Sequence, residues 1–256
     1  MKAVLAIPLL LAACGQAATP DNAANPAKVE SLVPPDREAP VPAAFAYDEN
    51  RDLIEFHYSW SAEMSAVPQL VAKYRAEMGK EKVALKKLAA ADNNLTYAIS
   101  KDITTKGQTH RLLSLLVEFY EFTGGAHGNH GSVGLLWDRQ AAKEIKVADL
   151  FAAPANMDRL LTQPWCDAIN QAREEKRGEP VGGGGMFDDC PNLDDISIIP
   201  TDKDRNGRFE RLMLVADPYV AGPYVEGSYE IELPVTGDLI AAIRSDYREN
   251  FEAQPQ

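Results

Sequence analysis

Apolar and polar positions alternate with a period of two over residues 53–60. Ile54, Phe56, Tyr58 and Trp60 share one face, and Glu55, His57 and Ser59 the other. That alternation predicts a strand with one face in a core. Past Pro68 the period lengthens. Val67, Leu70, Val71, Tyr74 and Met78 recur at three and four, with Lys73, Arg75, Glu77 and Lys80 on the remaining faces, which predicts an amphipathic helix. Gly79 either breaks this helix or lets it run on through residues 83–91, and the pattern leaves both open. A second strand is expected over residues 94–100.

Residues 111–122 are the most apolar stretch beyond the N-terminus and predict a central strand. They run into Thr123-Gly124-Gly125-Ala126-His127-Gly128-Asn129-His130-Gly131, whose glycines suit a tight connection. Residues 132–138 read as the returning strand and 143–147 as a short one. A helix is expected over 157–177, a glycine loop over 182–185, and strands over 196–199, 209–215 and 228–233, with turns at 202–207 and 217–227. A final helix is expected over 238–251, with Leu239, Ile240, Ile243 and Tyr247 on its apolar face. Strands joined by tight turns and interrupted by few helices predict an α+β fold with largely antiparallel sheets.

The N-terminus has another character. Met1-Lys2, an apolar run over residues 3–11 and Leu11-Ala12-Ala13-Cys14 have the layout of an export signal. The apolar run is too short for a hydrocarbon core of ~30 Å. The last four residues resemble the bacterial lipobox, which implies cleavage after residue 13 and lipid on Cys14; an ordinary secretory signal with a free Cys14 is the alternative. Gly15 stands where inner-membrane retention would place Asp. By resemblance to diderm lipoproteins this implies the periplasmic face of the outer membrane. Residues 14–46, rich in Ala, Pro, Asn and Asp without apolar period, read as a disordered tether. Roughly 200 residues remain, enough for a real core.

The net charge of −12 disfavours nucleic acid and anionic headgroups as partners. It suits a basic partner or a cationic ligand, although solubility alone accounts for it as well. With Cys14 taken by lipid, Cys166 and Cys190 are left as a pair for an oxidising compartment. A bridge between them would close a loop of about 25 residues and contribute on the order of 3 kcal/mol.

Phe119-Tyr120-Glu121-Phe122-Thr123-Gly124-Gly125-Ala126-His127-Gly128-Asn129, with Ile145-Lys146-Val147-Ala148-Asp149-Leu150-Phe151 further on, resembles a bacterial envelope module. It is the module found beside the catalytic domain of PdaC-type peptidoglycan deacetylases and in the sensing domain of RsiV-type anti-sigma factors. Residues 217–227, Asp217-Pro218-Tyr219-Val220-Ala221-Gly222-Pro223-Tyr224-Val225-Glu226-Gly227, followed by Tyr229-Glu230-Ile231-Glu232-Leu233-Pro234, resemble its C-terminal half. The resemblance divides the chain into a PdaC-like half over 47–138 and an RsiV-like half over 139–256. It implies binding of cell-wall glycan or a wall-acting protein such as lysozyme. It does not bring catalysis, because 256 residues leave no room for a deacetylase domain.

Candidate chemistry is sparse. His127 and His130 are three apart in a loop; they serve either a metal site or, more simply, the hairpin itself. Asp202-Lys203-Asp204-Arg205-Asn206-Gly207-Arg208-Phe209-Glu210 matches the first half of a calcium loop, with oxygens at positions one, three and five, Gly at six and Glu210 at nine. Position twelve is Met213, and a polar turn explains the same residues. No nucleophile elbow or phosphate loop is present. Tyr219 and Tyr224 offer flat faces with polar tips for a sugar or peptide groove, or pack around a glycine turn. The expectation is a non-catalytic module without a cofactor, calcium being the alternative, with ligand contacts from His127, Asn129, Tyr219 and Tyr224. The rival class is a glycan hydrolase or deacetylase, metal-dependent through His127 and His130.

Overall fold

The computed structural model describes residues 42–254, apart from 93 and 183. The signal segment, Cys14 and the expected tether up to residue 41 lie outside the described residues. The described residues form one compact unit.

The first strand, β1 (Phe45–Arg51), pairs antiparallel with β2 (Ile54–Trp60). The sequence reading carried the tether to residue 46 and placed no strand before residue 53. β1 escapes a hydropathy pattern because its one buried position is Glu49. Lys82 and Lys86 hold the Glu49 carboxylate at 2.6 and 2.9 Å, and these bonds, with those from Tyr47 and Arg51, keep its pKa far below the usual carboxylate range.

From β2 the chain passes through a short helix, α1 (Ala62–Ser65), and a long one, α2 (Pro68–Ala91). It then enters β3 (Tyr97–Gln108), which lies parallel to β2. Pro68 begins α2, where its missing N–H costs nothing. Gly79 does not break the helix: its Cβ direction is open, so the cost is only the ~1 kcal/mol of helix propensity. β3 is longer than expected. β4 (Leu112–Phe122), β5 (Asn129–Asp138) and β6 (Lys143–Ile145) follow antiparallel, completing a six-stranded sheet in sequence order.

β4 is buried on both faces. Leu113, Leu115 and Val117 pack with Phe56, Tyr58, Leu70, Tyr74 and Leu85, the core beneath α2. Leu116, on the opposite face, packs with Ile199, Met213 and Val215. These three belong to a second, three-stranded antiparallel sheet of β7 (Ser197–Thr201), β8 (Arg211–Ala216) and β9 (Tyr229–Pro234). β8 is also two-faced. Its Leu212, Leu214 and Ala216 join Leu161, Trp165 and Ile169 of α3 (Pro154–Arg177). The layers therefore run helix, sheet, sheet, helix. The two sheets approach closely where a Cβ on Gly134 would stand 2.9 Å from the Ile199 side chain. There Ser197 Oγ accepts from Gly134 N–H at 3.2 Å and donates to the Ser132 carbonyl at 3.0 Å.

Cys166 on α3 and Cys190 form the expected disulfide, with Cα atoms 5.4 Å apart. α3 ends at Gly178 in a left-handed conformation at φ 72°, as glycine permits. The final helix is a correction. α4 spans only Gly237–Ala242, not residues 238–251. Ile243 turns extended and bridges to Phe151, Arg244 N–H donates to the Leu150 carbonyl, and Phe251 bridges to Phe209. Leu239, Ile243 and Tyr247 are buried as their spacing suggests, but the segment spends its backbone hydrogen bonds on neighbouring edges rather than on itself.

At the start of β4 and the end of β5, Asp138 is fully buried. Its carboxylate accepts from Arg111 Nε and Nη2 at 3.0 and 2.9 Å, from Tyr247 Oη at 2.8 Å, and from the backbone of Gln140 and Ala141. Burial alone would raise its pKa, but the combined bonds from Arg111, Ala141 and Tyr247 win and lower it to about 2. A folded-state pKa below the unfolded value, ~3.9, gives stability present above pH ~4 and lost as the pH falls toward 2. Asp138→Asn is expected to lower the thermal midpoint at pH 7 by about 10 °C, since breaking a buried pair costs ~3–5 kcal/mol. It should also flatten the decline between pH 4 and 2 seen in unmodified protein; thermal unfolding across pH checks both.

Candidate functional site

Two connections meet at one end of the sheet seam. The first joins β4 to β5 through the glycine cluster, and the second joins β8 to β9 through residues 217–227. The sequence favours a tight approach at the first: a Cβ on Gly128 would overlap the Tyr120 ring at 2.4 Å. Asp217, which leaves β8, accepts from Ser132 N–H at 2.8 Å and from Ser132 Oγ at 2.9 Å. One carboxylate thus ties the second loop to the first strand pair.

α3 fixes the other side of the 217–227 loop. The fully buried Arg173 donates from Nε to the Ala221 carbonyl at 2.8 Å and from Nη2 to the Asp189 carbonyl at 3.0 Å. One turn on, Arg177 Nε donates to Glu226 at 2.9 Å, and Lys176 Nζ to the carbonyls of Glu226 and Ser228 at 2.7 and 2.9 Å. Glu226 also accepts from Tyr229 Oη. Burial would raise the Glu226 pKa, but Arg177 and Tyr229 bring it below its ordinary value. Burial and then Glu226 push the Tyr229 hydroxyl up to about 12. The disulfide and the bond from Trp165 Nε1 to the Pro191 carbonyl at 3.0 Å anchor the neighbouring 188–191 segment on the same helix.

The anchored loop presents rings. Tyr224 stacks on His127 with centroids 4.2 Å apart, meets His130 edge-on at 5.3 Å, and lies 5.8 Å from Tyr219. Tyr224 Oη donates to the Gly128 carbonyl at 2.8 Å and lies 3.3 Å from His130 Nδ1. Tyr219 is held at φ 72°, a left-handed conformation unusual for tyrosine. It is 56% exposed, so its ring meets solvent rather than core. Val225, next to Tyr224 in the chain, is exposed as well.

His130 also lines a cleft of about 220 Å³ with Asp102, Glu118, Tyr120, Asp217 and Glu230 among its other walls. Asp102 also holds His57 Nε2 at 3.0 Å, while His57 Nδ1 meets Asp48 at 2.7 Å. Asp48, against partial burial and with help from Asp102, raises the His57 pKa.

Residues 46–130 match the family model described as Deacetylase PdaC. This part of the chain is similar to the PdaC module. The match takes in β1 to β4, α1, α2 and the hairpin as far as His130, so it includes His127 and stops short of the 217–227 loop. The fold is similar to that of a DUF3298 family protein from Pseudomonas aeruginosa PAO1, whose crystal structure superposes with a TM-score of 0.55 at 15% identity. That superposition covers 84% of this chain and 99% of that one. A DUF3298 family member from Bacteroides fragilis NCTC 9343 is matched at 16% identity and a TM-score of 0.46, over 81% of this chain and 95% of that one. No curated protein matches the chain.

The hairpin brings His127 and His130 to the tyrosine loop, so four of the residues singled out in sequence, His127, His130, Tyr219 and Tyr224, do converge. Asn129, between them in the chain, is exposed at the first position of β5. The two histidines address Tyr224 and the backbone, His127 Nδ1 lying 2.9 Å from the Gly128 carbonyl. Among the described residues, the group of three or more potential metal ligands is Asp202, Asp204 and Glu210 in the β7–β8 connection, which does not include either histidine. Asp202 is buried, and burial raises its pKa above the ordinary value despite the bonds from Gly207 and Asn206.

The residues that build the site were less visible in sequence than those that display it. Arg173 and Arg177 recur at i, i+4 on one face of α3, a spacing that puts two guanidiniums on one partner. Asp217 opens the tyrosine stretch but bears no mark of its bond to Ser132. Replacing Arg177 with Met should free Glu226 and loosen the loop. Hydrogen exchange is expected to speed up roughly tenfold at the amides of Tyr219 and Gly227 and to stay unchanged across β4.

Proposed function

We propose that this chain is a lipid-anchored envelope protein whose folded part is a non-catalytic module binding a basic, wall-acting protein of the lysozyme kind. The observation that carries this reading is a carboxylate-lined cleft that shares His130 with the ring cluster. Asp102, Glu118, Asp217 and Glu230 line the cleft, and Tyr219 is exposed on the loop that Asp217 opens. A concave acidic surface in a chain of net charge −12 attracts a cationic protein and speeds its docking. A rigid exposed tyrosine is a frequent anchor in such contacts. The exposed Tyr219 face supports a second reading, stacking against a sugar ring of the wall polymer itself.

Anchoring rests on the Leu11-Ala12-Ala13-Cys14 pattern and, for the periplasmic face of the outer membrane, on Gly15. Two features accord with it. The Cys166–Cys190 bridge suits an oxidising compartment, and no helix among the described residues is long and apolar enough to cross a membrane. The disulfide and the PdaC-type match together support a place outside the cytoplasm.

Lysozyme titrated onto the immobilised full chain at low salt should bind, and binding should weaken as salt rises. Reversing two charges, Glu118→Lys with Glu230→Lys, is expected to weaken it about tenfold or more. Tyr219→Ala should have a similar effect. Purified sacculi provide the other arm: co-sedimentation lost in Tyr219→Ala but insensitive to the charge reversals would favour the polymer. Retention of neither lysozyme nor sacculi by unmodified protein would remove the proposal. Separately, metabolic labelling with palmitate should mark the chain and fail to mark Cys14→Ser, with the variant leaving the membrane fraction.

A further inference from the structure

We propose that the β7–β8 connection is a calcium site built from Asp202, Asp204 and Glu210, with Asn206 as a further side-chain ligand. One oxygen from each of the three carboxylates lies within 4.8 Å of the others. Asp202 and Glu210 are 9% and 2% exposed. Like charges this close, two of them out of water, are costly, and a bound cation would offset that cost.

Of the side-chain cations in the loop, Lys203 Nζ pairs with Glu232, and among the described residues neither Arg205 nor Arg208 forms an ion pair with the three acids. The neutral donors of the loop reach the cluster instead: Lys203 N–H donates to Glu210 Oε1 at 3.0 Å, and Asn206 and Gly207 N–H donate to Asp202 at 3.1 and 3.0 Å. Glu210 Oε2 is buried with no hydrogen-bond partner. An orphaned carboxylate oxygen inside a protein is costly, and here it belongs to one of three converging acids. It is this oxygen, independent of the loop's sequence, that points to a missing ligand.

The donors are all hard oxygens, which select calcium or magnesium over transition metals. Spacing favours calcium. Oxygen-bearing side chains stand at the first, third, fifth and ninth positions. Gly207 at the sixth has φ +86° and Arg205 before it φ +60°, the turn that wraps such a loop around its ion. A loop of this kind also offers the main-chain carbonyl at its seventh position, that of Arg208. The twelfth position is Met213, buried in β8, so the bidentate glutamate is missing. Affinity is therefore in the range of extracellular modules, a dissociation constant of about 10⁻⁴–10⁻³ M.

The location gives the ion a structural effect. Asp202 N–H donates to the Lys106 carbonyl of β3 at 3.1 Å, Phe209 N–H to the Asn250 carbonyl at 2.8 Å, and Asn206 Nδ2 to Glu252 Oε1 at 2.6 Å. Bound calcium would stiffen a loop joining the larger sheet, the smaller sheet and the C-terminal segment.

Thermal unfolding of the full chain in calcium and in chelator tests this. Calcium at ten times its dissociation constant is expected to raise the midpoint by about 3–5 °C, magnesium at the same concentration clearly less, and calorimetric titration should give one ion per chain. Asp204→Ala alters an exposed residue, so it should leave the midpoint in chelator within about 1 °C and abolish the calcium response. Glu210→Gln fills the same space without the lone charge and should also lose the response, with the chelator midpoint unchanged or raised. No calcium shift in the unmodified chain, or a full shift retained in Asp204→Ala and Glu210→Gln, would overturn the assignment.

Discussion

Burial of β4 on both faces is the constraint from which the architecture follows. A strand between two cores must be apolar at successive positions, and residues 112–117 are buried without interruption, Ser114 included. One face needs a helix layer, which α2 provides through Leu70, Tyr74 and Leu85. The other needs a second sheet, whose central strand β8 faces the same problem and solves it with α3. Four layers result from two strands that cannot tolerate water on either side.

Stacking two sheets leaves a seam, and the seam's ends are where the connections gather. At one end the β4–β5 hairpin and the β8–β9 loop meet as His127, His130 and Tyr224; at another the β7–β8 loop meets β3 and the C-terminal segment. Neither loop is held by its own hydrogen bonds alone. The tyrosine loop depends on Arg173 and Arg177 from the outer helix and on Ser132 from the inner sheet, so its position reports the packing of all the layers between. A surface assembled in this way can display rings and carboxylates rigidly, which lowers the ordering cost of binding.

The strands that carry the core were legible in sequence because their periodicity is apolar: β2, β4 and the strands of the second sheet lie where alternation and long apolar runs place them. β1 was not, because its inward position is Glu49, neutralised by lysines from α2 that no local pattern relates to it. The last helix was read too long because spacing of three and four describes which residues are buried, not how the backbone between them is bonded. Ile243 is buried in an extended bridge to Phe151 instead of a helical turn. At the site, the rings stood out by motif, whereas the cleft acids Asp102, Glu118 and Glu230 come from three separate strands and meet only through topology.

Buried charge is otherwise compensated with consistency. Glu49 has Lys82 and Lys86; Lys101 is bonded to Glu77 and Glu81; Asp138 has Arg111; Arg173 has carbonyls on two segments. Each case follows the expectation that a charge taken out of water is paired or fully hydrogen-bonded. Against that regularity the exceptions carry information. The carboxylates of Glu118 and Glu230 are exposed, where leaving a charge unpaired costs little and keeps it available to a partner. Glu210 is different, since water cannot satisfy an oxygen it does not reach. The same protein that supplies two lysines to one buried glutamate in β1 supplies no side-chain cation to Glu210 among the described residues. A fold that settles its other interior charges internally leaves this one for the proposed calcium ion to settle.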